Sequence, residues 1–164
     1  MTDEQSIPER AGPRPTTGPA MPHQQLSGNA PAPLQEELWR RMSALEGVRT
    51  GPSGVSLPET RALHLDSELA AGPPEAFMVG TEFAHLHGPA DGSLHMALPP
   101  DLAQEAIARG WAELHPLARA GRVPETLVMV YGPRDDEELE TVWRLVAASY
   151  ANARGRYSPS AGGT

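Results

Sequence analysis

Neither cysteine nor lysine occurs anywhere in the 164 residues of this chain. Without cysteine there is no disulfide, no thiolate nucleophile and no sulfur-ligated metal, and the redox compartment is left open. Without lysine the thirteen positive charges are all arginines, scattered along the chain instead of lining one stripe. Set against twenty-one acidic residues they leave a formal net charge of −8, which disfavours nucleic acid or an anionic membrane as partner. Acidity of this size is otherwise ordinary solubility. Long apolar runs are missing too, since nothing approaches the roughly 18 to 20 residues of a membrane span. The opening Met-Thr-Asp-Glu-Gln has no apolar stretch behind it, so no secretory signal is read and a cytoplasmic location is expected.

What the chain has in quantity is proline and glycine, eighteen and sixteen residues, with many of the prolines near the start. Pro8, Pro13, Pro15 and Pro19 fall among few large apolar residues, a composition that buries too little surface to offset chain entropy. Residues 1–20 are therefore expected to be a disordered tail, residues 21–153 a single domain, and residues 154–164 a second disordered tail. The domain is long enough for one core.

Within it, Leu34, Leu38, Met42 and Leu45 recur at helical spacing before Gly47. Val55–Leu57 and Arg61–Leu65 read as a loose hairpin, and Phe77-Met78-Val79 as a short strand. Glu82–His87 and Ser93–Leu98 alternate on either side of Gly88–Gly92, which predicts a β-hairpin. After Pro99-Pro100, Asp101 with Gln104 predicts a capping box and a helix ending at Gly110. Thr126–Tyr131 is an almost wholly apolar strand. Leu139, Val142, Trp143, Val146 and Tyr150 stripe a final helix that Asp135 can cap and whose acidic first turn suits the dipole. The order predicts an α+β fold with a mainly antiparallel sheet.

Chemistry concentrates in the hairpin. Alternation puts Phe83, His85 and His87 on one face, with Ala84 and Leu86 on the other. In the second strand, Ser93, His95 and Ala97 oppose Leu94, Met96 and Leu98. If His87 pairs with Ser93, then His85 pairs with His95, and three imidazoles share a face; a one-residue slip would push His95 among the leucines. Such a trio suits a divalent metal held by His85, His87 and His95, and equally suits acid–base catalysis. His115 is the expected fourth contributor. Glu82 ranks below them, because strict alternation points it to the opposite face.

Other readings are weaker. Ser93, His95 and Asp66 lack the Gly-x-Ser-x-Gly elbow of a hydrolase, and phosphate loops and dinucleotide fingerprints are missing. His64 reads as structural, Trp39 and Trp143 as core residues, and Trp111 as a core edge or pocket wall.

Several segments resemble a known family. These are Pro22-His23-Gln24-Gln25-Leu26, Glu82-Phe83-Ala84-His85-Leu86-His87 followed by Asp91-Gly92-Ser93-Leu94-His95, Gly110-Trp111 with His115-Pro116-Leu117-Ala118, and Val128-Met129-Val130-Tyr131-Gly132-Pro133. Together they resemble the luciferase domain family, named after the fungal luciferases and including many short bacterial members. The resemblance implies an oxidoreductase scaffold with no flavin or nicotinamide, because the fungal members add dioxygen to a hydroxylated pyrone. The function expected on this basis is an oxygenase acting on a small enolisable, pyrone-like or aromatic molecule through the histidine cluster. The alternatives are a non-catalytic small-ligand or metal-binding module on the same scaffold, and an interaction protein whose histidines are structural.

Overall fold

The computed structural model describes residues 6–158. Helix α1 spans Ala32–Ser43; Pro33 pre-sets its first turn, Leu38 and Met42 turn inward, and Gly47 with φ 77° reverses the chain beyond it. Strand β1 follows at Val48–Pro52 and pairs antiparallel with β2, Arg61–Leu65. The hairpin therefore forms one segment earlier than the apolar pattern suggests. Gly51 and Pro52 are tolerated because β1 is a sheet edge, and Val55–Leu57 become a loop. Phe77–Val79 also form no strand, only a bridge from Val79 to Glu82.

Strands β3 (Glu82–Leu86) and β4 (Leu94–Ala97) are the predicted hairpin. Helix α2, Pro100–Ala108, starts on Pro99 with no side-chain cap, so Asp101 lies in its first turn and not at its cap. A strand that periodicity could not show, β5 at Ala112–Leu114, leads into a one-turn helix α3, Pro116–Arg119. Strand β6 is Leu127–Val130 and helix α4 is Asp136–Ala153, capped by Asp135, whose Oδ1 accepts from Glu138 N at 2.8 Å. The six strands run β1-β2-β3-β4-β6-β5, each pair antiparallel.

One face of the sheet meets the helices. Ala84, Leu86, Leu94, Met96 and Leu98 join Leu38, Met42, Leu139, Val142, Leu145 and Val146 in a continuous core. Ser149 fixes α4 to the sheet by donating to the Ala97 carbonyl at 2.7 Å. Trp143 is only partly buried, at the margin of this face, because Leu145 and Ser149 take the inward positions. Trp111 is in the core and donates to the Pro8 carbonyl at 2.7 Å.

That last contact corrects the N-terminal boundary. Residues 1–5 and 159–164, the outer parts of the two expected tails, lie outside the described residues, but residues 6–20 pack onto the domain. Ile7 enters the core at 2% exposure. Arg10 N donates to Arg109 O at 2.9 Å, and the Arg14 guanidinium reaches the Ala112 carbonyl at 2.7 Å and the Ile107 carbonyl as well. Thr17 then pairs with Gln25, which turns the arm over the second face of the sheet. It needs few apolar residues because it docks largely through hydrogen bonds to backbone carbonyls. Among the described residues no helix is long and apolar enough to cross a membrane.

Candidate functional site

The second face of the sheet carries the histidines, placed there by register. His85 pairs directly with His95, and His87 N donates to Ser93 O at 2.9 Å across a five-residue turn, Gly88–Gly92. The expected one-face cluster of His85, His87 and His95 is therefore the observed one. One element of the parity argument fails. Leu63 faces Ala84 but the next residue, His64, faces Glu82, so Phe83 is an extra residue in the strand. Such a bulge resets alternation. Phe83 turns into the core beside Tyr150, and Glu82 swings to the histidine side.

Hydrogen-bond partners assign the tautomers. Glu82 accepts from Ser53 Oγ at 2.8 Å and Gly54 N at 2.9 Å, and its 2.7 Å contact to His85 Nδ1 puts a proton on that nitrogen. His87 Nδ1 faces Ser93 Oγ at 2.9 Å; the hydroxyl gives its own proton to Asp91 Oδ1, so His87 Nδ1 is the donor. The Nε2 atoms of both rings keep lone pairs. They face one atom, His95 Nδ1, at 3.2 and 3.1 Å.

On its other side His95 Nε2 lies 2.9 Å from His23 Nδ1, and His23 Nε2 lies 2.7 Å from Glu113 Oε2. The carboxylate claims the His23 Nε2 proton, so a neutral His23 presents a lone pair to His95. A neutral His95 carries one proton and meets acceptors at both nitrogens. On Nδ1 the proton would be shared between two acceptors and leave two lone pairs opposed at 2.9 Å. On Nε2 it satisfies His23 and leaves three lone pairs converging. Either way the four rings are short of one cation.

A proton on His87 or His95 does not supply it at neutral pH. Burial first, then the neighbouring imidazoles, pulls His87 down from 6.5 to about 3 and holds His95 well below its ordinary value. The carboxylates stay charged: burial would raise Glu82 and Glu113, but hydrogen bonds from His85, Gly54 and Ser53, and from His23, Tyr131 and Thr17, hold both below the ordinary range. Asp91 differs, because burial outweighs its hydrogen bonds and raises it.

His115 lies at the cluster edge, its ring 4.8 Å from that of His95. As the N-cap of α3 its Nδ1 accepts from Leu117 N at 3.0 Å, so its Nε2 carries the proton. Burial, then His23, His85 and Arg119, lowers it to about 4. A second close trio, His23, His95 and His115, thus offers only two free lone pairs. The trio His85, His87 and His95 offers three.

All five rings line a cavity of about 670 Å³. Met21, Val55 and Leu57 are exposed residues of its wall, and Met78, Leu117, Val123 and Leu127 add apolar surface. No arginine is among the described residues lining it. Sequence reasoning from the residues missed His23 and Glu113 as members of the cluster. His23 sits just inside the expected domain boundary, in a segment without apolar periodicity, and Glu113 in a strand of three residues. Of the hydrolase set, Asp66 pairs with Arg49 at the surface, and Ser93 is fully buried. His64 bonds the Pro52 carbonyl at 3.0 Å, as a structural residue does.

Comparison with known proteins bears on this segment. Residues 80–149 match the family model described as the luciferase domain. The luciferase of Armillaria ostoyae is 40% identical over 70 residues, and those of Armillaria mellea and Neonothopanus nambi are 39% identical over the same length. The match covers 42% of this chain and 26% of each luciferase, so the chain spans about a quarter of the length of these relatives. No solved structure matches. The matched segment contains Glu82, His85, His87, Asp91, Ser93, His95, Glu113 and His115, and it ends within α4. Over this segment, and over it alone, the chain is similar to the luciferase domain family.

Proposed function

We propose that His85, His87 and His95 hold a divalent metal ion in an oxygenase-type oxidoreductase acting on a small, enolisable, pyrone-like or aromatic molecule. The observation that carries this reading is geometric: the Nε2 atoms of His85 and His87 converge on His95 Nδ1 at 3.2 and 3.1 Å, the outer nitrogens of all three rings being taken by other partners. A tetrahedral ion with metal–nitrogen bonds near 2.05 Å separates its ligand atoms by about 3.3 Å. Three neutral imidazoles in a cysteine-free site suit zinc, iron, copper or nickel. A metal there would act as a Lewis acid on a ligand oxygen.

The protein supplies the rest. Each ring leads to a carboxylate, buried Glu82 directly, buried Asp91 through Ser93 and half-buried Glu113 through His23, which fixes ring orientation and raises basicity. His115 Nε2–H is a donor suited to a developing enolate oxygen. The apolar wall accommodates the organic ring and keeps water from it. A substrate that binds as its enolate, its proton already lost to solvent, would be electron-rich at carbon, the form that combines with dioxygen. The luciferase names of the relatives support the oxidative reading.

Metal analysis of protein purified without a histidine tag tests the centre, with about one equivalent expected. Oxygen-electrode traces with 3-hydroxy-2-pyrones and catechols test the reaction. Metal without oxygen uptake on any probe would replace the oxygenase with a binding module, and no metal uptake at all would remove the centre.

A further inference from the structure

We infer that His23 and Glu113 are positioning residues that hold His95 in the one tautomer able to bind a metal through Nδ1. The inference rests on the metal-centre reading above. It starts from an asymmetry among the three rings. His85 and His87 are set by hydrogen bonds from their own hairpin neighbourhood, whereas His95 meets an acceptor on each side and nothing in the hairpin decides where its single proton goes.

The decision comes from outside the hairpin. Glu113 Oε1 accepts from Tyr131 OH at 2.9 Å, and Tyr131 OH itself accepts from Arg14 at 3.3 Å, so the phenol proton is committed to Glu113. Thr17 Oγ1 lies 3.0 and 2.9 Å from the two carboxylate oxygens. Fixed in this way, Oε2 accepts the His23 Nε2 proton at 2.7 Å, His23 Nδ1 becomes an acceptor, and His95 Nε2 must donate to it across 2.9 Å. The His95 Nδ1 lone pair is left facing His85 and His87. Because Thr17 and Arg14 belong to the N-terminal arm and His23 follows it past the turn that pairs Thr17 with Gln25, this end of the chain closes the third ligand's hydrogen-bond chain.

The polarity of this relay makes it testable. In Glu113→Gln the amide oxygen takes the place opposite the committed Tyr131 proton, and the NH2 group faces His23. His23 then turns donor at Nδ1, His95 must accept at Nε2, and its proton moves to the ligand nitrogen. His23→Ala removes the acceptor altogether. His23→Gln keeps both functions, an NH2 donor toward Glu113 and a carbonyl acceptor toward His95.

Zinc and cobalt(II) affinities of the full chain, measured by chelator competition, should fall 10- to 100-fold in Glu113→Gln and His23→Ala, the usual loss when a ligand's hydrogen-bond partner is removed. His23→Gln should recover most of the wild-type affinity, which a merely structural role would not predict. Imidazole 15N spectra of the zinc-loaded wild type should place the His95 proton on Nε2. Circular dichroism of the metal-free variants reports folding; should His23→Ala fail to fold, Glu113→Gln carries the comparison. Wild-type affinity in both variants would overturn the relay while leaving the metal centre standing. Failure of the wild type to bind either ion would instead remove the centre. Loss of binding in His23→Ala but not in His85→Ala would put the ion among His23, His95 and His115 and overturn the relay.

Discussion

Truncating one side chain of the N-terminal arm, Ile7→Ala, measures how firmly the arm is part of the domain. Ile7 is 2% exposed and belongs to the same core as Leu102, Ala106 and Trp111. The substitution removes three buried carbons, roughly 2.4 kcal/mol of transfer free energy at about 0.8 kcal/mol per methylene. A cavity term normally raises such losses toward 5 kcal/mol. Partial settling of the arm into the space keeps that term small, and a loss of about 2 to 3 kcal/mol is expected. Denaturant unfolding should show a lower midpoint at unchanged slope, and the melting temperature should drop by about 4 to 12 °C. A loss below about 0.5 kcal/mol, typical of surface positions, would mean that the arm is not docked in solution and would undercut the placement of His23 as well.

Two further outcomes follow from the site. Gly132→Ala should cost about 1 to 3 kcal/mol, because its Cβ would lie 2.5 Å from the Gly92 carbonyl oxygen; Gly51→Ala, with nothing within 4 Å, is the control, and equal effects would refute the packing. In metal-free protein His87 and His115 titrate at about 3 and about 4 against 6.5 for the ordinary group, so the unfolded chain binds their protons first. Their contribution to stability is complete above about pH 7 and is lost as the pH falls toward 3, at up to about 1.4 kcal/mol per pH unit for each ring; chemical denaturation giving the same stability at pH 7 and pH 5 would refute it.

The hairpin was legible because two demands agreed. Leu86, Leu94, Met96 and Leu98 require the core, and a period of two then leaves His85 and His95 nowhere but the opposite face. Helix α4 and strand β6 were legible for similar reasons, one from its stripe and cap, the other from an unbroken apolar run. Trp143 shows the limit of a stripe argument: it adjoins Val142 in sequence, yet Leu145 takes the inward place and Trp143 stays at the rim. Strand β5 has three residues, too few for any period. The arm escaped because composition weighs apolar content, while residues 8–17 are held mainly by arginine, threonine and backbone hydrogen bonds.

The same division runs through the site. Two of the three converging rings lie within regular, paired strands and the third, His87, one residue past the end of β3, where the backbone is rigid and alternation applies. Their carboxylates sit where alternation is broken: Glu82 beside a bulge, Asp91 in a five-residue turn, Glu113 on a short edge strand. A regular strand can space rings but cannot choose their tautomers, since its side chains only alternate. Irregular backbone can bring a carboxylate to the Nδ1 side of one ring or the Nε2 side of another, and here it does both. Proton placement, and with it any capacity to bind a cation, thus depends on the parts of the chain that periodicity cannot read. His23 is the extreme case, since it acts on His95 from 72 residues away, directly after an arm whose docking only the folded structure reveals.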